Sequence, residues 1–199
     1  MQATKRIDTR KLVLLAILTA LVIVVQVIAA TTRAFLPIFS LTLVLMPITI
    51  GAALIGRYAG AWLGLAFGFA VLISGDAAPF LAFHPIGTVV TVMMKGLFAG
   101  WAAGAVYRLM AHKSKTMAAT AAAVVCPIVN TGVFVMGCYA FFLPLLREWA
   151  SAGSSAHVTS FIFLVLIGIN FLIELGINLV LSPTIIRLIQ YGQDRRERV

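Results

Sequence analysis

The sequence predicts an all-α integral membrane protein, a bundle of six transmembrane helices with both termini in the cytoplasm. Hydrophobic residues make up 62% of the 199 positions and charged residues only 11%, too little polar side chain to cover a water-soluble globule. The mean hydropathy of +1.07 agrees. The fifteen Lys and Arg residues outnumber the six Asp and Glu residues, but they punctuate long apolar runs instead of forming one continuous polar face. That is the charge pattern of a membrane protein, and it argues against nucleic acid as the partner of a +9 chain.

The first apolar segment, about 12–30, follows Lys5, Arg6, Arg10 and Lys11. It has full spanning length and no convincing cleavage context, so it reads as a retained helix and not as a secretory signal. The second and third, about 41–56 and 59–75, are short and contain glycines. A re-entrant hairpin is the alternative there, although Arg57 between them and Ser74, Gly75 and Asp76 after them fit two tilted spans. The fourth, fifth and sixth run over about 86–110, 117–143 and 159–190. Residues 1–199 therefore form a single transmembrane domain with no room for a soluble catalytic or nucleotide-binding domain, and any use of ATP falls to another chain. Cys126 and Cys138 lie on one apolar segment, about 18 Å apart along a helix, too far to bridge each other.

Placing the amino terminus inside puts Lys5, Arg6, Arg10, Lys11, Arg57, Arg108, Lys113, Lys115, Arg187, Arg195, Arg196 and Arg198 on the cytoplasmic side. Only Arg33 and Arg147 fall outside, so the positive-inside rule sets the orientation in the cell membrane. The outer loops are then 31–40, 76–85 and 144–158. The first two are apolar and aromatic, with Phe35 and Phe39 in one and Phe80, Phe83 and His84 in the other. They either anchor in the headgroup zone or fold over a pocket open to the outside.

Catalytic motifs are missing. There is no phosphate-binding G-x-x-x-x-G-K-[ST] loop and no H-E-x-x-H helix, and His84, His112 and His157 all fall in expected loops, which leaves a buried metal site almost no ligands. The polar residues within the spans say more, because an ionisable group near the bilayer centre costs at least ~2.5 kcal/mol unless it is paired or wet. Lys95 lies well inside the fourth segment and Glu174 well inside the sixth, accompanied by Asn130, Asn170 and Asn178. Asn170, Glu174 and Asn178 recur every fourth residue, a stripe on one helix face that should look into the bundle. Two readings stand: a structural Lys95–Glu174 ion pair with interhelical asparagine bonds, or a polar cavity holding a solute. Gly60, Gly64 and Gly68 in the third segment and Gly96, Gly100 and Gly104 in the fourth form smooth ridges suited to packing on each other. Ala16 and Ala20 make a shorter ridge on the first helix, suited to internal packing or to docking a second membrane subunit.

The assembled pattern resembles the substrate-binding S component of energy-coupling factor (ECF) vitamin transporters. The likeness rests on the size, the six spans with both ends inside, the basic start leading into Leu15, Ala16, Ile17, Leu18, Thr19, Ala20 and Leu21, and the run Lys95, Gly96, Leu97, Phe98, Ala99 and Gly100. It extends from about Arg10 to Arg187. The resemblance implies a non-enzymatic protein without a cofactor that binds a vitamin or related micronutrient near the outer side. Its pocket would be built from the later helices and covered by loops 31–40 and 76–85. The resemblance further implies docking, through the pair matched by Ala16 and Ala20, on a transmembrane coupling subunit driven by two cytoplasmic ATPases.

The pocket candidates are Lys95, Asn130, Asn170 and Glu174, with Phe35, Phe39, Phe80, Phe83 and His84 from the loops. An unpaired Lys95 would favour a carboxylate or phosphate; a Lys95–Glu174 pair would leave asparagines and aromatics to grip a neutral ring. The aromatic residues suit a flat ring, and a riboflavin-like compound is the first candidate. The competing classes are a small intramembrane enzyme using Glu174 with His84 or His157, and an assembly subunit that transports nothing.

Overall fold

The computed structural model describes residues 9–35 and 42–152, together with residues 159, 171–172, 175–180 and 187. The described chain is helical throughout. Helix α1 spans Thr9–Phe35; a 3-10 turn, Thr42–Val44, leads into α2, Leu45–Leu54; α3 spans Arg57–Ile73, α4 Ala78–Phe83, α5 Pro85–Met110, α6 Lys115–Phe141 and α7 Leu143–Ala152. Three of these are long and apolar enough to cross a bilayer, over Thr9–Thr31, Pro85–Met110 and Lys115–Phe141. The chain is an all-α membrane-spanning bundle with three clear spans. Helices α2 and α3 are apolar but shorter; the 17 residues of α3 extend about 26 Å and the 10 of α2 about 15 Å.

Each break between helices has a local cause. Gly56, between α2 and α3, takes φ 131° and ψ 174°, a conformation closed to residues with a side chain, so the chain reverses within two residues. Gly75 at φ 84° ends the α3 region in the same way. Ser114 caps α6 by accepting from the Met117 amide at 3.3 Å. Pro127 lies inside α6 and removes one rung of its hydrogen-bond ladder, one turn before Asn130.

Within the expected outer loops 76–85 and 144–158 the structure places two short helices, α4 and α7, the residues 153–158 lying outside the described ones. Pro79 stands in the first turn of α4 and Pro144 in that of α7, positions where a missing N–H has no consequence. Helix α7 buries Leu145, Leu146 and Ala150 and exposes Arg147, Glu148 and Ser151, the 3.6-residue alternation of a helix lying on a surface. The expected sixth segment falls mostly outside the described residues.

Helix α5 is central, making its largest interfaces with α3 and α6. The two glycine ridges do meet. A Cβ on Gly64 or Gly96 would strike the other's carbonyl, Gly60 and Gly100 oppose each other in the same way, and a Cβ on Gly68 would lie 2.9 Å from the Val92 oxygen. One index climbs by four as the other falls by four, so α3 and α5 run antiparallel with backbones in contact. Helix α1 buries the stripe Leu18, Val22, Gln26 and Ala29, with Leu14, Leu15 and Val25 half-buried against the core beside it. Three side-chain hydrogen bonds tie it to the α3 region: Trp62 Nε1 donates to Thr19 Oγ1 at 3.3 Å, and Gln26 Nε2 donates to Asp76 Oδ2 at 2.6 Å and to Ser74 Oγ at 3.4 Å.

Candidate functional site

A polar and aromatic constellation lies between α5 and α6, nearer the end of the bundle that carries α4 and α7. Lys95 is ten residues into α5, about 15 Å along it, and is half-buried. Its ammonium sits 5.3 Å from the centroid of the Phe134 ring and 5.5 Å from that of Phe67. A cation held between two aromatic faces is stabilised by their quadrupoles, and more so away from water. Phe134 comes from α6 and Phe67 from α3, so three helices converge on one charge.

Below this group, Asn130 is buried on α6, and its Oδ1 has no hydrogen-bond partner among the described residues. On the other side of Lys95, toward the α4 end, Thr91 Oγ1 is buried one turn earlier on α5 and likewise has none among them. Gly137 makes room for Thr91, since a Cβ there would collide with the threonine side chain. Two buried acceptors held on facing helices are unusual, because leaving such a group unsatisfied costs roughly 1–3 kcal/mol.

Above it, aromatic rings form a roof. Phe80 of α4 meets Phe134 edge-on at 5.8 Å, Phe142 at 4.9 Å and Trp149 of α7 at 5.6 Å. This cluster also holds Cys138 and Leu146 and receives Phe171 from the expected sixth segment. Phe134 therefore touches both the roof and the ammonium.

The remaining expected site residues are placed as follows. Phe83 is 42% exposed at the end of α4. His84 is exposed, caps α5 by accepting the Gly87 amide on Nδ1 at 2.9 Å, and lies 5.6 Å from the Phe141 ring. Phe35 contributes the last backbone turn of α1, its side chain outside the described residues. Phe39, Asn170 and Glu174 also lie outside the described residues, as does His157. Asn178, the third member of the stripe, is 2% exposed, as expected for a face turned inward, whereas Leu172 and Leu179 are exposed.

Ala16 and Ala20 are exposed on α1 among Leu12, Val13, Ile17 and Leu21, a surface left open by the bundle. Sequence reasoning did not single out Phe67, Thr91, Phe134 or Trp149. The signal was the four-residue spacing of Thr91 to Lys95 and of Asn130 to Phe134, which sets each pair on one helix face.

The described chain is thus a helical bundle of the membrane with polar groups held between its helices and a cluster of aromatic rings at one end. A family model described as ECF transporter, substrate-specific component, matches residues 10–186, and the chain belongs to that family. No curated protein and no solved structure matches it. The protein is thus a membrane-embedded S component for a small, vitamin-like solute, a non-catalytic transport subunit of a kind that works with coupling and ATPase subunits.

Proposed function

We propose that the protein captures its solute from outside the cell in the space bounded by Lys95, Asn130, Thr91 and Phe134, with Phe80 above. The observation that carries this reading is the pair of buried oxygens of Asn130 and Thr91, without a hydrogen-bond partner among the described residues, on the two helices that also present Lys95 and Phe134. The reading adds Asn170 and Glu174 from the sixth span, and sets Phe35 at the end of α1, Phe39 beyond it, Phe83 at the end of α4 and His84 at the cap of α5 over the pocket's mouth. Six spans with both termini cytoplasmic put the α4–α7 end outside. The basic residues Arg57, Arg108, Lys113 and Lys115 at the opposite end support that orientation.

The aromatic rings favour a flat, ring-containing vitamin or cofactor precursor, with a riboflavin-like compound as the first candidate. After capture, the exposed face of α1 around Ala16 and Ala20 docks on the coupling subunit, which two cytoplasmic ATPases drive. The test is uptake of labelled riboflavin in cells expressing the chain with and without an ECF coupling module. Accumulation that needs both, and that Ala16→Trp abolishes while the isolated protein still binds, is the expected result. Accumulation without the module would overturn the docking reading.

A further inference from the structure

At the end of the bundle opposite the aromatic roof, a cleft of about 400 Å³ opens between the end of α2, the start of α3 and the end of α5. Its lining includes Gly56, Arg57, Tyr58, Tyr107 and Arg108. It lies apart from the solute site, and nothing in the transport reading uses it.

Among the described residues, the cleft's lining carries two arginines and no acidic side chain. Gly104 creates it in part, because any Cβ there would lie 2.9 Å from the Arg57 nitrogen, so α3 starts directly against α5. The guanidinium of Arg57 is held in place. It donates from Nη2 to the Tyr58 hydroxyl at 3.1 Å and lies 4.9 Å from the Tyr58 ring centroid and 5.9 Å from that of Trp101. Its Nε is buried and has no hydrogen-bond partner among the described residues. Arg108 is exposed one turn beyond Gly104 on the same face of α5. The first-turn N–H groups of α3 have no side-chain cap and add partial positive charge.

The setting is a membrane surface. Arg108 stands in the last turn of the α5 span, while Tyr58 is 72% exposed and Trp101 40% exposed, as aromatic residues at the headgroup level are. An arginine held by its neighbours in the wall of a basic cleft at this depth suits a phosphodiester, and the flanking exposed rings suit the acyl chains below it.

We propose that this cleft is a binding site for the phosphate of an anionic phospholipid, with Arg57 and Arg108 as its ligands. The lipid would brace the α2–α3 turn against α5.

The test is native mass spectrometry of the detergent-purified protein with phosphatidylglycerol or phosphatidylcholine added. Phosphatidylglycerol is expected to be retained in preference to phosphatidylcholine. Arg108→Gln, at an exposed position where folding is not at stake, should weaken retention about fivefold, and adding Arg57→Gln should weaken it further. Lys113→Gln removes the same charge from outside the cleft and should change retention little. Equal loss in Lys113→Gln and Arg108→Gln would mean diffuse attraction to basic surface and overturn the site. Displacement of phosphatidylglycerol by millimolar inorganic phosphate would make the ligand a free anion and overturn the lipid assignment.

Discussion

The Lys95 ammonium lies 5.3 Å from the centroid of the Phe134 ring, and through Phe134 it is joined to the aromatic roof made by Phe80. One residue thus couples the charge inside the bundle to the element that closes its end. Phe134→Leu removes both contacts at modest loss of volume. A cation–π contact in a desolvated site contributes about 0.5–2 kcal/mol, so solute affinity is expected to fall between about twofold and thirtyfold. Titration calorimetry of the purified variant checks this, and unchanged affinity would place the solute elsewhere.

Asn130 separates a structural role from a binding one by the sign of its effect. If its buried oxygen serves the solute, Asn130→Leu should leave the Tm of the solute-free protein unchanged or raised, since an unsatisfied polar group is removed, a gain of up to about 1–3 kcal/mol. Stabilisation by added solute should disappear. A large drop in the solute-free Tm would instead assign the side chain to the fold.

The contact of α3 with α5 leaves no space for a methyl group at Gly64 or Gly96, where the obstacle is backbone carbonyl rather than movable side chain. Gly96→Ala is therefore expected to destabilise by about 3 kcal/mol or more, at or above the upper end of overpacking penalties. Gly132 on α6, with no described atom within 4 Å of its Cβ position, is the matched control. Gly132→Ala should be neutral or stabilising by up to about 1 kcal/mol from helix propensity. Thermal unfolding in detergent measures both, and equal behaviour of the two variants would contradict the close approach.

Asp76→Ala leaves the buried Gln26 amide with only the long 3.4 Å bond to the Ser74 hydroxyl in place of its 2.6 Å carboxylate acceptor. A loss of about 1–3 kcal/mol is expected, felt first as loosening of α1 from the turn after α3. Faster hydrogen exchange over the last turns of α1 would report it, and unaltered exchange would show that the tie does not hold the helix.

Much of the fold was legible in the sequence for simple reasons. Long apolar runs gave the α1, α5 and α6 spans to within a few residues, and glycines at every fourth position anticipated the α3–α5 contact, because both signals are local and periodic. The short helices α4 and α7 were not legible. Their apolar residues suggested greasy loops, and only the packing of half-buried Phe80 and buried Leu146 against Cys138 and Phe142 distinguishes a packed helix from such a loop. At the site, a search for ionisable and asparagine residues found Lys95 and Asn130 but passed over Phe134, whose importance lies in what it faces. Gln26 was overlooked although a glutamine within an apolar run carries the same message as an asparagine.

The central claim is that the space beside Lys95 and Asn130 holds a small solute. Native mass spectrometry of the protein purified from riboflavin-supplemented cells tests it most directly. The expected spectrum shows one small molecule bound per chain, lost when Asn130→Leu and Phe134→Leu are combined in a protein that still folds. A spectrum carrying only the bare chain, or an adduct that the double variant retains in full, would contradict it.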